Sequence, residues 1–318
     1  EEEEHGWGVR RGQWVSIVAD VERKVTIGER LSADGSHLPH DAPFIGNGVC
    51  LMSRAEMQRA KTGVAVEMRA TAFPAPALNE AINSSSSCFL MNLPSALVAH
   101  ILAPQAGDRV FDMCAAPGGK TSHLAQLMGN DGVVFAGERA KSKSKSMAGL
   151  LKRLGATCVT PIYIDSTKAV KASDTGKKGR HAGFEPGSFD KILLDPPCSG
   201  LGLRPCLRYD YTAEELRQHA TYQRKLIEVA VKLLKPGGTM VYSTCTLHPL
   251  ENEGNVAWAV DNFPELGLDD ITASLRLGTP GLPSCGLDAS QQAKVLRFDP
   301  LNETDTNAFF VARLTKRK

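Results

Sequence analysis

The sequence predicts an α/β protein: a mostly parallel sheet with helices on both faces, preceded by a small β-barrel. Two observations predict this. Strands alternate with helices from Asn92 onwards. Before that point, short β-branched segments are separated by glycine turns. The chain has 318 residues, of which 42% are hydrophobic and 23% charged, which suits one large and one small globular domain.

The N-terminal part, residues 1–72, is predicted to be the barrel. Its strand-like segments are residues 13–21, 24–31, 44–53 and 63–70. Residues 73–88, FPAPALNEAINSSSSC, are rich in Pro and Ser and are predicted to be a linker. Residues 89–318 then form the second domain.

In the second domain, periodicity predicts alternating elements. Helices are predicted over residues 93–102, 122–129, 147–156 and 213–235. Strands are predicted over residues 108–113, 133–137, 158–164, 189–195 and 239–245, with FFVAR at 309–313 as the last strand. A polar insertion separates the third and fourth of these strands. Ligands of such sheets bind at the carboxyl ends of the strands.

The glycine loop after the first of these strands predicts a nucleotide-type ligand. CAAPGGKT ends like a phosphate-binding loop, but that motif needs a Gly where this chain has Cys114. What remains is a strand, a turn of small residues and a helix start, where backbone N–H groups can approach a ligand. Glu138 ends the next strand at the spacing of a ribose-binding carboxylate, and Asp165 follows the third. NAD and S-adenosylmethionine both fit this pattern.

Two cysteines follow strand ends at the same predicted edge of the sheet. Cys198 follows Asp195 in DPPCSG, and Cys245 lies in YSTCT. An isolated cysteine is more often structural than reactive, but their joint placement beside a cofactor loop favours chemistry. The chain has eight cysteines and no C-x-x-C pair, so we expect neither a metal site nor a disulfide framework.

The net charge of +2 gives no strong prediction of a partner. No apolar run reaches the length of a membrane span, and no signal peptide is visible, so we expect an intracellular protein without a membrane partner. The cytoplasm is the expected compartment, with the nucleus and organelles left open, and a monomer is the expected state. The chain starts EEEE with no initiator Met, as a fragment would.

DMCAAPGGKT, LLDPPCSG and YSTCT together resemble the Sun-domain (Fmu-type) RNA cytosine-5 methyltransferases, from about Phe89 to the C-terminus. The N-terminal part resembles a PUA domain, an RNA-binding barrel. This combination is similar to the subfamily that methylates cytosine 72 in the acceptor stem of certain tRNAs. The resemblance implies a class I S-adenosylmethionine methyltransferase fold, Rossmann-like, with a mostly parallel seven-stranded sheet. It also implies that a segment preceding the PUA domain, and its first strand, are missing.

The resemblance assigns roles to particular residues. Cys245 is the implied nucleophile, Cys198 aids product release, Asp195 lies close to the target base and Lys120 lines the site. The implied S-adenosylmethionine-binding residues are Cys114, Ala115, Ala116, Pro117, Gly118, Gly119, Lys120, Glu138, Arg139, Asp165 and Asp195. The family pattern usually has Asp at the position of Glu138, and eukaryotic members commonly have DAPC where this chain has DPPC.

Covalent catalysis explains the use of thiols. Carbon 5 of cytosine is a poor nucleophile, and a thiolate added at carbon 6 makes it enamine-like. Cys245 must therefore have a lowered pKa, for which Lys120 is the candidate cation. DNA cytosine-5 methyltransferases use the Pro-Cys cysteine instead, so the YSTCT segment favours the RNA class and Cys245.

RNA contact is predicted in the N-terminal part. Arg54, Arg59 and Lys61 are cations near a turn, suited to phosphate contact, although ordinary surface charge explains them almost equally well. Within the enzyme class, ribosomal RNA is the alternative substrate to tRNA. An RNA-binding protein with weak or no catalysis is the alternative outside that class.

Overall fold

The computed structural model describes residues 9–19, 44–71, 88–171, 183–204, 211–272, 275, 277–300 and 306–317. These residues fall into two compact units, the first ending before residue 80 and the second containing the described residues from 88 onwards. The predicted strand at 24–31, most of the predicted linker and residues 172–182 of the polar insertion lie outside the described residues.

The first unit contains an antiparallel sheet of three strands, in the order β1-β2-β3. They are β1 (Trp14–Val18), β2 (Phe44–Cys50) and β3 (Val66–Thr71). A short helix, α1 (Arg54–Arg59), begins with a capping box in which Ser53 and Glu56 each accept the other's backbone N–H. Within the described residues β1 and β3 are edges, so the predicted barrel is not closed there.

The second unit contains a sheet of eight strands, in the order β10-β11-β8-β7-β4-β5-β6, with β9 also pairing with β11. The strands are β4 (Arg109–Asp112), β5 (Val133–Glu138), β6 (Val159–Tyr163), β7 (Phe189–Leu194), β8 (Leu234–Thr244), β9 (Leu266–Asp269), β10 (Leu296–Phe298) and β11 (Phe309–Lys316). Strands β4 to β8 are parallel, whereas β9, β10 and β11 pair antiparallel. The seven-stranded sheet implied by the resemblance is therefore corrected to a mixed sheet of eight strands.

The helices of the second unit cover both faces of this sheet. They are α2 (Leu93–Leu102), α3 (Gly119–Leu127), α4 (Lys141–Arg153), α5 (Ala213–Leu233), α6 (Glu253–Asn262) and α7 (Ala289–Gln292). Helix α4 begins at Lys141 rather than at the predicted Met147, because KSKSKS contains no helix breaker. Helix α5 ends at Leu233 rather than Lys235, because Leu234 already pairs with Phe189 of β7.

The core of the second unit lies on both faces of β4 and β7. Phe111, Ile192 and Leu194 belong to one buried cluster, and Val110 and Leu193 belong to another. Strands buried on both faces read as continuous apolar runs, which is why ILL in β7 lacks the alternation of a half-exposed strand. In the described ranges, no helix is long and apolar enough to cross a membrane.

The strand order creates a switch point between β4 and β7. From β4 the chain proceeds to β5 and β6 on one side, then returns to form β7 and β8 on the other. At such a point the loops after adjacent strands leave in opposite directions and open a crevice. The loops after β4, β7 and β8 therefore meet at one edge of the sheet.

Candidate active site

The glycine loop after β4 forms a close-fitting cradle. Gly118 has φ +110°, a left-handed conformation that disfavours residues with a side chain. At Gly119, the first residue of α3, an added Cβ would lie 2.1 Å from a ring carbon of Phe89. The first N–H groups of a helix have no partner within it, so they are available to a ligand held in this cradle.

A cavity of about 190 Å³ opens on this loop. It is lined by Phe89, Leu90, Met91, Asn92, Ser95, Asp112, Cys114, Ala115, Ala116, Pro117, Gly119, Lys120 and Asp195. The predicted loop residues Cys114 to Lys120 thus lie around one space, with Gly118 in the left-handed turn beneath it.

Asp112, the last residue of β4, lines this cavity and is almost completely buried. Its Oδ2 accepts a hydrogen bond from Thr121 Oγ1 at 2.7 Å, whereas its Oδ1 has no hydrogen-bond partner among the residues that the structure describes. Burial raises the pKa of this carboxyl to about 7. Sequence reasoning missed Asp112, although its place at the strand end directly before the loop was a visible signal.

Asp195 and Lys120 form an ion pair beside the same cavity. Lys120 Nζ lies 2.6 Å from Asp195 Oδ2, and Ser243 Oγ donates to Asp195 Oδ1 at 2.9 Å. Burial lowers the pKa of Lys120, but the charge and hydrogen bond of Asp195 outweigh it, and the net shift is upward. Lys120 is therefore a permanent cation within the site.

The two predicted cysteines lie in contact. Cys198 follows β7 and Cys245 follows β8, which are parallel neighbours, so both thiols lie at one edge of the sheet. Their sulfur atoms lie 3.4 Å apart. The hydrogen bond from Cys198 lowers the pKa of the Cys245 thiol, and the charge of Lys120 adds to this against burial and Asp195. The same hydrogen bond, followed by burial, raises the pKa of Cys198. Cys245 is therefore the thiol that loses its proton first.

The acids after β5 and β6 lie at the same edge. Glu138 Oε1 accepts the N–H of Ala140 at 2.6 Å, and Asp165 Oδ1 accepts the N–H and hydroxyl of Thr167. Arg139 lies over the ring of Tyr222, 5.6 Å from its centroid. A second cavity of about 300 Å³ opens here, lined by Arg139, Pro197, Tyr211, Glu215, Gln218, His219 and Tyr222.

The predicted RNA-contact residues lie in the first unit. Arg54 begins α1, Arg59 ends it with its Nε donating to the carbonyl of Ala55, and Lys61 is exposed in the turn that follows. They are thus separate in the fold from the residues of the cavity. Among the described residues, no group of three or more His, Cys, Asp or Glu side chains is placed to hold a metal ion.

Sequence reasoning also missed a buried polar cluster after the Thr-Cys segment. Glu251, Asn252, Glu253 and Asn255 are each completely buried. Asn252 accepts the hydroxyl of Thr244 and donates to the carbonyl of Thr246, so it holds the residues on either side of Cys245. The only signal in the sequence was a run of polar residues, LENEGN, beside a buried strand.

A family model for the 16S rRNA methyltransferases RsmB/F matches residues 99–315. The chain belongs to this family. The resemblance visible in the three motifs is therefore confirmed. RsmB/F is a methyltransferase family.

Several RsmB/F relatives match most of the chain. It is 38% identical over 312 residues to a mouse tRNA (cytosine(72)-C(5))-methyltransferase, NSUN6, covering 96% of this chain and 63% of that protein. It is 32% identical over 395 residues to an Arabidopsis thaliana rRNA (cytosine-C(5))-methyltransferase, NOP2C, covering 96% of this chain and 65% of that protein. The chain thus spans less than two thirds of the length of each.

The crystal structure of NSun6 from Pyrococcus horikoshii with SFG matches the present structure with a TM-score of 0.75 at 34% identity. The match covers 98% of this chain and 69% of that one. The second unit accordingly has the class I S-adenosylmethionine methyltransferase fold, Rossmann-like, with a mixed sheet.

Proposed function

We propose that the chain carries the catalytic part of an S-adenosylmethionine-dependent RNA cytosine-5 methyltransferase. The observation that carries this proposal is the pair of thiols 3.4 Å apart at the switch point. A single thiol would serve covalent addition alone. Two thiols in contact, with Lys120 and Asp195 at the same edge, suit a reaction in which a covalent bond to the base must form and then break.

The residues present fit S-adenosylmethionine. Gly118 and Gly119 leave space for close approach to the backbone. Asp112 Oδ1, which has no hydrogen-bond partner in the described part of the chain, offers a buried acceptor to a cationic group. The loop from Cys114 to Lys120, with Glu138, Arg139, Asp165 and Asp195, would hold the cofactor. SFG, present in the P. horikoshii NSun6 structure, is an analogue of it. When bound, S-adenosylmethionine supplies an electrophilic methyl group on a sulfonium.

Cys245 has the more acidic thiol of the pair and is the proposed nucleophile. Its thiolate adds to carbon 6 of the cytosine, which gives carbon 5 enamine character. Asp195, held by Lys120 and Ser243, would hydrogen-bond the N3/N4 edge of the base and favour protonation of the ring during addition. The base must be unstacked to reach this position, which suits a fraying stem end or a flipped nucleotide.

Cys198 is the proposed release residue. After methylation, the proton on carbon 5 leaves to a water beside Cys198, because the Cys198 thiol still carries its own proton. The bond between Cys245 and carbon 6 then breaks, and Cys245 departs as a thiolate. The Cys198 thiol, which keeps its proton and lies 3.4 Å from Cys245, stabilises that thiolate by a hydrogen bond.

For the substrate we infer tRNA, with the cytosine in the acceptor stem. One observation that supports this is the similarity to tRNA (cytosine(72)-C(5))-methyltransferases of mouse and P. horikoshii. The other is the antiparallel sheet of the first unit, which is compatible with the proposed PUA-like domain and whose strands β2 and β3 flank the segment with Arg54, Arg59 and Lys61. Ribosomal RNA is the second candidate, because the family is named for 16S rRNA methyltransferases and NOP2C acts on rRNA by name.

A denaturing gel tests the chemistry. Cys198→Ala and Cys245→Ala are incubated separately with S-adenosylmethionine and an acceptor-stem RNA, and a ribosomal RNA fragment is run in parallel. We expect Cys198→Ala to accumulate a protein–RNA adduct that survives denaturation, and Cys245→Ala to form none. An adduct only with Cys245→Ala would reverse the two roles. RNA binding with neither adduct nor methyl transfer would favour a binding protein without catalysis.

A further inference from the structure

The buried carboxylate of Glu251 contacts the loop that carries Cys198. Its Oε2 accepts the backbone N–H of Ser199 at 3.1 Å, and its Oε1 accepts the hydroxyl of Ser199 at 2.6 Å. Ser199 directly follows Cys198, and Glu251 is completely buried. The carboxylate therefore fixes both the backbone and the side chain of the residue next to one thiol.

The same hydrogen bonds continue to the loop that carries Cys245. Ser199 Oγ lies 2.7 Å from Thr246 Oγ1, and Thr246 directly follows Cys245. A hydroxyl has one proton, and Ser199 donates its own to the carboxylate, so Thr246 must donate to Ser199. Thr246 in turn accepts the N–H of His248 at 3.1 Å. Glu251 thus sets the direction of a hydrogen-bond chain that ends beside both thiols.

Residues of helix α5 and strand β8 hold this series of hydrogen bonds in place. Gln223 Nε2 of α5 donates to Glu251 Oε2 at 2.8 Å and to the carbonyl of Pro197 at 3.0 Å. Gln223 Oε1 accepts from the side-chain amide of Asn255, which fixes the orientation of the Gln223 amide. Tyr242 of β8 donates its hydroxyl to the backbone carbonyl of Glu251. These hydrogen bonds therefore hold Pro197, Ser199 and Thr246 in fixed positions relative to helix α5 and strand β8.

Stability alone does not account for this carboxylate. The three donors to it are the backbone N–H and hydroxyl of Ser199 and the amide of Gln223, all of them neutral. A buried carboxylate held by neutral donors is costly to desolvate, and well-packed apolar groups usually stabilise a core at least as well. What apolar groups cannot provide is the fixed geometry of directed hydrogen bonds between the two loops.

We propose that Glu251 is a positioning residue that sets the separation of the Cys198 and Cys245 sulfur atoms through Ser199 and Thr246. Its importance for turnover rests on the proposed function, but the sulfur geometry itself is measurable without RNA or cofactor. A backbone bond from Gly202 N to the carbonyl of Cys245 keeps the loops joined in any Glu251 variant. Loss of Glu251 therefore changes the distance between the Cys198 and Cys245 sulfur atoms, while the loops after β7 and β8 stay connected.

The test is the pH dependence of Cys245 alkylation by iodoacetamide in the full chain, followed by peptide mass spectrometry. The pKa of Cys245 depends on three neighbouring side chains, Cys198, Asp195 and Lys120. Of these three contacts, only the one with Cys198 depends on Glu251 in this proposal. We expect Glu251→Ala to move the alkylation profile upward by about one pH unit. At a pH below the pKa of Cys245 in both the wild-type protein and the variant, that shift corresponds to about tenfold slower alkylation.

Two further variants and one control sharpen the result. Ser199→Ala removes the link to Thr246 while keeping the backbone N–H bond, and should also shift the profile upward. Glu251→Gln keeps one acceptor in an isosteric side chain and should shift it less. Asp269→Asn is the control, because Asp269 also accepts two side-chain donors, from Arg313 and Thr315, but lies outside this cluster on β9. It should lower the melting temperature and leave the alkylation profile unchanged.

Glu251 is merely structural if Glu251→Ala and Ser199→Ala keep the wild-type alkylation profile while melting lower, as the control does. If Glu251→Ala does not fold, Ser199→Ala and Glu251→Gln decide, and unshifted profiles in both overturn the proposal. The readout needs no RNA, so a wrong substrate or an absent methyl transfer on the denaturing gel leaves this result standing.

Discussion

At the scale of single residues, the protonation state of each group in the proposed site depends on the side chains next to it. The hydrogen bond between the thiols lowers the pKa of Cys245 and raises that of Cys198, while Lys120 and Asp195 neutralise each other at 2.6 Å. The sequence predicted all four of these residues as members of one site, because each lies in the glycine loop or in a segment that follows a strand, and their roles stay predictions. It did not identify Asp112, whose pKa depends on burial that only the fold reveals.

Asp112 predicts an unusual pH dependence of stability. Its pKa is about 7 in the folded protein, well above the ordinary value near 4 of the unfolded chain. The folded state therefore holds a proton that the unfolded state releases, and this contribution to stability is full below about pH 4 and lost as the pH rises through 7. Asp112→Asn should remove this dependence.

The measurement is the free energy of unfolding in urea at pH 5 and pH 8, without cofactor. From pH 5 to pH 8, the free energy of unfolding of the wild-type protein should fall by about 2 to 3 kcal/mol more than that of Asp112→Asn. All other titrating groups are common to both proteins and cancel in the comparison. Parallel losses in the two proteins would show that Asp112 does not titrate in this range.

At the scale of elements, the sequence predicted the central strands and the helices between them, because their apolar patterns are strong. It missed α6, which begins within the polar LENEGN run, and β9, which follows that run. It also placed the start of α4 at Met147. Lysine and serine carry no apolar periodicity, so KSKSKS gave no helix signal although it is the first part of α4. The buried cluster around Glu251 was missed for the same reason: polar residues normally indicate surface.

The contact between α3 and Phe89 gives a matched pair of glycine variants. Gly119→Ala places a Cβ 2.1 Å from the Phe89 ring, and should destabilise the protein by about 1 to 3 kcal/mol through overpacking. Because Phe89 lines the cavity, cofactor affinity should fall as well. Gly149→Ala, in open space on α4, should instead stabilise by about 0.5 to 1 kcal/mol.

Thermal unfolding and isothermal titration with S-adenosylmethionine measure both effects. If Gly119→Ala and Gly149→Ala change the stability equally, helix propensity alone is responsible and Phe89 moves aside without an energetic cost.

At the scale of the whole molecule, chain topology brings together residues that are far apart in sequence. The sequence predicted the shared edge, since parallel strands end on one side of a sheet. It could not predict the 3.4 Å between two sulfur atoms, because that distance depends on loop conformation and on the Glu251 hydrogen bonds. The predicted cofactor-binding residues and the predicted RNA contacts also belong to different compact units.

This separation predicts that RNA affinity and cofactor affinity can be changed independently. Replacing Arg54, Arg59 and Lys61 together by Ala should weaken RNA binding and reduce its salt dependence, with the slope of log K against log salt less steep by about 2 to 3. S-adenosylmethionine affinity should not change.

Filter binding across a salt series measures the RNA slope, and isothermal titration measures the cofactor affinity. Arg69→Ala is the control, because it removes one positive charge from β3 of the same unit, at a residue outside the predicted RNA contacts. An unchanged salt slope in the triple variant would remove these three residues from the RNA-binding surface.

The parallel pairing of β7 and β8 has an evolutionary consequence. Because the two thiols follow adjacent strands and touch, a transfer of the proposed nucleophilic role from the Thr-Cys to the Pro-Cys segment would require no change of topology. One ancestral sheet could thus give rise to lineages that methylate the same atom of cytosine from either strand end.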